Sequence, residues 1–171
     1  LEKTNESLRK SEALCSKWHG AGSGRLKYAY TPRFVPTCTL ELWREAAKLA
    51  HESGAYLNSH IAETMGENKR VQELYPQFED YVAVMEEVGA LGPKTILAHA
   101  IHLSDDEYRR MAASGTKIAH CPTSNFFLKS GAMSVPKVEA AGVDYALATD
   151  VGAGTAMSLF IEMRHADYTQ I

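Results

Sequence analysis

Five stretches of this 171-residue sequence end in side chains that can do chemistry: Thr31-Pro32-Arg33-Phe34, His60 with Glu63 three residues on, His99, His120 before Cys121-Pro122, and Asp150. Neutral imidazole nitrogen and carboxylate oxygen form the donor set of a catalytic zinc or iron site, which keeps one position open for water. Such a metal lowers the pKa of that water to roughly 7, so hydroxide is available at neutral pH. Glu63, just beyond His60, is then placed to take and return protons as general acid and base. One histidine with a glutamate nearby would be an ordinary polar loop. An Arg, three His and an Asp at five successive strand ends point instead into one cavity.

The elements that must carry these residues repeat one unit. Leu1 to Trp18 has helical periodicity, "GSG" turns, and "RLKYAY" alternates as a strand. Thr37 or Thr39 caps the helix "LELWREAAKLAHES", in which Leu42, Ala46, Leu49 and Ala50 share a face, and Gly54 closes it before the strand "AYLNSHI". Helical stretches around Glu67 to Tyr75 and Glu79 to Val88, broken at Pro76, precede the strand "GPKTILAHA". Ser104-Asp105-Asp106-Glu107 is a capping box that opens "DDEYRRMAAS", and "TKIAHC" follows as a strand. "PTSNFFLKSG" is expected as a loop, Val135 to Ala141 as a short helix, and "VDYALATD" as the last strand.

Five strands separated by helical material predict right-handed βαβ connections and a parallel sheet. An open doubly wound sheet and a (β/α)8 barrel compete. "GAGSGR" precedes a strand rather than following one, so it is not a dinucleotide fingerprint. A complete barrel takes about 250 residues, and this chain has the size of the later five-eighths of one. Chemistry in barrels gathers at the C-terminal ends of the strands, where the five stretches lie.

The other histidines read differently. His19 and His51 end helices, where a cation suits the macrodipole, and His102 and His165 read as structural or exposed. His120 stays open between a role around the site and a packed loop anchor.

Composition narrows the partners. The net charge is −3 and no basic stripe is present, which argues against nucleic acid or an anionic membrane and for a small-molecule substrate. Cys15, Cys38 and Cys121 form neither a disulfide framework nor a CxxC knuckle and predict reduced thiols in a cytoplasmic protein. No apolar run approaches the ~20 residues of a membrane helix. The sequence opens at Leu1 within a helical pattern and stops with periodicity still running, so both ends read as cut.

The motifs "TPRF", "SHIAE", "LAHAIHLS", "AHCPTSN" and "ATDVGAG" occur in an order and spacing that resembles the amidohydrolase superfamily of metal-dependent hydrolases, and within it the guanine deaminase branch. The resemblance implies an α/β fold, a partial (β/α)8 barrel in which residues 1–171 supply strands four to eight and the first three strands are absent. It implies His60 and Asp150 as metal ligands, and Glu63, His99 and Asp150 as catalytic residues. Glu63 would shuttle protons, and His99 would orient the attacking water. Arg33, Phe34, His60 and Glu63 would bind substrate, with Arg33 reading the purine and Phe34 packing beside the base. The implied cofactor is zinc, with iron possible. The implied reaction is deamination of guanine to xanthine and ammonia, in a homodimer when the protein is full length.

The sequence departs from the family pattern in lacking the His-x-His pair of the first barrel strand. Two ligands fall short of the three protein ligands that a catalytic zinc ordinarily has. The alternatives are therefore a hydrolase of the same superfamily acting on another aminated ring, such as an adenosine derivative or a triazine, or a non-catalytic binding or assembly element. The other zinc deaminase signature, with Pro-Cys-x-x-Cys, does not fit, because Cys121 precedes Pro122.

Overall fold

The computed structural model describes residues 4–170. Its elements alternate. Helix α1 (Thr4–Trp18) leads to strand β1 (Ala29–Tyr30), and α2 (Leu40–Ser53) to β2 (Tyr56–Ile61). Helices α3 (Met65–Leu74) and α4 (Tyr81–Glu87) precede β3 (Thr95–His99), and α5 (Asp105–Ser114) precedes β4 (Lys117–His120). Helices α6 (Pro122–Phe127) and α7 (Val135–Ala141), strand β5 (Tyr145–Leu147) and helix α8 (Leu159–Tyr168) complete the order. The expected start of α1 at Leu1 lies outside the described residues.

The five strands pair in parallel and in chain order, β1-β2-β3-β4-β5, as a barrel segment does and a doubly wound sheet does not. Burial alternates along the strands. Leu57, Ser59 and Ile61 of β2, Thr95 and Leu97 of β3 and Ile118 of β4 are buried on the side that the helices cover. Tyr56, Asn58, His60, Ile96, Ala98, Lys117 and Ala119 look to the other face and are only half-buried. The main core therefore lies between sheet and helices, with Trp43, Val84, Met85, Tyr108 and Met111 fully enclosed.

Local signals explain most boundaries. Thr39 accepts from Leu42 N at 3.2 Å to start α2, and Gly54 at φ 67 ends it in the left-handed region that glycine tolerates. The face that α2 buries carries Trp43, Ala46, Ala47 and Ala50, so it is centred on a tryptophan rather than on Leu42 and Leu49. The box at Ser104 and Glu107 forms in both directions.

Among the expectations that fail, two concern whole elements. β1 is two residues long rather than six, because Leu26 uses its backbone in the preceding turn, accepting from Gly20 N and donating to Ala21 O. The expected loop "PTSNFFLKSG" instead begins as α6, with Pro122 in the first turn, where its missing N–H costs nothing and its φ is preset for a helix.

Candidate metal centre

The end of β2 is built on the carbonyls that follow β1. Ser59, 1% exposed, directs its hydroxyl at Pro32 O (2.7 Å) and Arg33 O (2.9 Å). His60 donates its backbone N–H to Arg33 O at 3.3 Å, and its Nδ1 lies 2.7 Å from the same oxygen. A carbonyl only accepts, so Nδ1 carries the proton and Nε2 keeps its lone pair. At the end of β3, His99 Nδ1 faces Asn125 Oδ1 at 2.9 Å, which leaves its Nε2 as an acceptor by the same logic. Metal-binding histidines are oriented in this way by the hydrogen bond on the far nitrogen.

The ring of His99 stacks on that of His60, with centroids 5.3 Å apart and planes 20° apart. Strand parity would send His99 outward with Thr95 and Leu97. Its φ of 73 breaks that parity, and Ala100 follows at φ 48. The two strand ends are laced together past this point by Ala100 N to Ile61 O (2.9 Å) and Ile101 N to Ala62 O (3.1 Å).

Asp150 follows β5, itself at φ 49, and its Oδ2 accepts from Ser124 Oγ at 2.5 Å. The loop beyond turns back on it, with Gly154 N donating to Asp150 O. A Cβ on Gly154 would stand 1.8 Å from Thr149 O, so only glycine fits there.

One donor atom from each of His60, His99 and Asp150 lies within 4.8 Å of the others. Beside them, Glu63 Oε2 stands 3.8 Å from His99 Nε2 while Glu63 Oε1 accepts from Ser130 Oγ at 3.0 Å. Of the six non-glycine residues with positive φ among the described residues, Ala62, His99, Ala100, Lys129 and Asp150 border this group. Strain of that kind collects where geometry serves a site. Two imidazoles with free Nε2 atoms and a carboxylate fit zinc or ferrous iron.

The remaining expected residues fall nearby with different surroundings. The Arg33 guanidinium is exposed and lies over the Phe34 ring, 5.2 Å from its centroid, while its carbonyl anchors His60. It makes no hydrogen bond or ion pair among the described residues. His120 is buried and outside the donor group; burial, then repulsion between the two imidazoles if His99 is also protonated, lowers its pKa to about 4. Burial pushes the Cys121 thiol up to about 12, with the Asp150, Glu162 and Glu63 carboxylates adding to it.

His19 Nδ1 accepts from Tyr28 N at 3.1 Å, and His102 and His165 bond to the carbonyls of Ser130 and Ile161. These histidines hold structure. Ser124, Asn125 and Ser130 were not singled out by sequence reasoning. The motif "HCPTSN" was the signal at hand for two of them.

Comparison with known proteins agrees with the geometry. The model of the amidohydrolase family matches residues 1–170. The chain is 42% identical over 139 residues to a probable guanine deaminase of Schizosaccharomyces pombe, an alignment covering 81% of this chain and 26% of that protein. The solved guanine deaminase of E. coli superposes with a TM-score of 0.94 at 34% identity, covering 99% of this chain and 39% of the other. An atrazine chlorohydrolase from Arthrobacter aurescens, complexed with zinc, shares the fold at a TM-score of 0.92 and 21% identity, with 100% of this chain and 38% of its own covered. The chain thus spans between about a quarter and two-fifths of the length of these relatives. With the family model matching residues 1–170 and a barrel segment carrying its donors at one rim, the chain belongs to the amidohydrolase family.

Proposed function

We propose that this chain is strands four to eight of a metal-dependent barrel that deaminates guanine to xanthine and ammonia. The observation that carries the hydrolytic reading is the convergence of His60, His99 and Asp150 beside the Glu63 carboxylate. Guanine as substrate is supported by the similarity of nearly the whole chain to guanine deaminases and by Arg33. Zinc is the favoured metal and iron the alternative, with His60 and Asp150 as ligands and further ligands contributed from outside residues 1–171. The metal, when bound, supplies a water acidified to a pKa of roughly 7.

The chain's own residues do the rest. His99 Nε2 and Glu63 Oε2 flank one point 3.8 Å across, where an attacking water accepts orientation from the first and gives its proton to the second. The oxygen adds to carbon 2 of guanine, Glu63 returns the proton to the ring nitrogen and then carries the proton of the new hydroxyl to the exocyclic amine, which leaves as ammonia as the carbonyl forms. Guanine and water thus balance xanthine and ammonia. Arg33 presents guanidinium donors to the purine oxygen 6 and nitrogen 7, pre-oriented by the Phe34 ring, which packs beside the base. No residue favours a triazine or an adenosine derivative, both of which lack an oxygen at that position.

The same reading makes the protein cytoplasmic, consistent with three free cysteines, and no helix of the described residues is long and apolar enough to cross a membrane. Exposed Met157, Leu159, Phe160 and Met163 support association of full-length subunits as a homodimer.

Two neighbours test the assignment in a protein carrying the complete barrel. His60→Ala removes a ligand, so metal content and ammonia release fall together. Glu63→Gln keeps the metal and lowers turnover by on the order of a hundredfold or more. Metal loss from Glu63→Gln equal to that from His60→Ala would make Glu63 a ligand and overturn the roles.

A further inference from the structure

Three hydrogen bonds of the site share an origin. Ser124 Oγ donates to Asp150 Oδ2 at 2.5 Å, Asn125 Oδ1 accepts from His99 Nδ1 at 2.9 Å, and Ser130 Oγ donates to Glu63 Oε1 at 3.0 Å. The three recipients come from the ends of β5, β3 and β2, and the three partners from one ten-residue segment after β4. β4's own terminal histidine, His120, stands outside the donor group. We infer that residues 122–131 form a single bracket that positions Asp150, His99 and Glu63 for the reaction proposed above, with Ser124, Asn125 and Ser130 as positioning residues. The inference rests on that reading of the site.

A bracket must be stiffer than what it holds, and this one is fixed at both ends. At its start, Thr123 donates its N–H and its hydroxyl to the two oxygens of Glu162, at 3.1 and 2.6 Å, and Glu162 is 0% exposed. In its middle, Asn125 N bonds to Cys121 O at 3.0 Å, and Asn125 O receives the N–H of Ser130 at 2.8 Å. At its end, the Ser130 carbonyl lies 2.7 Å from His102 Nε2, and the His102 carbonyl accepts from Asn68 Nδ2 at 2.6 Å. Gly131, at φ +128, packs so closely that a Cβ would stand 3.1 Å from Ile101 Cγ2. Ser124 and Asn125 are fully buried and Ser130 is 6% exposed.

The bracket divides the labour of Glu63. Ser130 pins Oε1, which leaves Oε2 as the oxygen that faces His99 and moves the proton. Ser124 occupies one oxygen of Asp150 and fixes the direction of its carboxylate. A serine that holds a ligand and a serine that holds a proton shuttle should fail in different ways, although they sit on one segment.

The test uses the protein with the complete barrel and two variants. Ser124→Ala should weaken zinc binding by about 10- to 100-fold, read by competition with a chromophoric chelator and without any substrate. Ser130→Ala should keep its zinc and its KM for guanine while kcat falls by about tenfold or more, and Ser130→Thr, which keeps the hydroxyl, should restore most of that loss. Parent-like zinc affinity in Ser124→Ala, or parent-like kcat in Ser130→Ala, overturns the bracket. Each arm stands independently, so a variant that fails to fold leaves the other decisive. If the parent binds zinc but releases no ammonia from guanine, the proposed function falls, while the chelator arm still decides the bracket.

Discussion

Ser59→Ala is the most direct test of how the site is framed. The hydroxyl is 1% exposed and serves two carbonyls, Pro32 O at 2.7 Å and Arg33 O at 2.9 Å. Arg33 O keeps the N–H and Nδ1–H of His60 after the substitution, whereas Pro32 O loses this donor. One lost buried hydrogen bond with an acceptor left behind costs about 1–3 kcal/mol. With a urea slope of about 2 kcal/mol/M, the unfolding midpoint should fall by roughly 0.5–1.5 M at unchanged slope. Because the bond between His60 Nδ1 and Arg33 O survives, zinc affinity in the complete barrel should change by less than about threefold, well short of the effect of losing a partner that orients a ligand. Equilibrium denaturation followed by circular dichroism, with a chelator titration beside it, measures both. An unchanged midpoint, or loss of zinc as severe as that of His60→Ala, would refute the reasoning.

Gly154→Ala should displace the turn after Asp150, since the new Cβ would stand 1.8 Å from Thr149 O; zinc affinity should fall about tenfold or more by chelator competition. Glu162→Ala strands the buried Thr123 N–H and should destabilise by about 1–3 kcal/mol or more in urea, whereas Glu162→Gln, which keeps an acceptor for that N–H, should cost less than half as much.

The legible part of the molecule was written in local chemistry. Thr39 and Gly54 delimit α2, and Ser104 with Glu107 opens α5, because caps act within one turn of the backbone. His60 and Glu63, in one motif at the end of β2, and Asp150, in another after β5, could be named as candidates from local sequence alone. What stayed hidden depends on distance or on backbone angle. His99 could be named as a strand-end residue, but not the φ of 73 that turns it from the helix-facing side of its strand to stack on His60. The bond between Ser130 and Glu63 spans 67 residues, and no local pattern announces it. α6 lies where a loop is expected because Pro, Thr, Ser and Asn favour turns locally, whereas Pro122 is a first-turn residue and Thr123 tethers the helix to α8. The last strand shortened to Tyr145–Leu147 because the chain leaves the sheet after Ala148 N meets His120 O, in order to bend Asp150 into the site.

The central claim is metal-dependent deamination of guanine at this rim. Residues 1–171 joined to the first three strands of the barrel, loaded with zinc, should convert guanine to equal amounts of xanthine and ammonia, lose that activity to a chelator and regain it when zinc is returned. Zinc bound at one ion per chain with no ammonia released from guanine would contradict it.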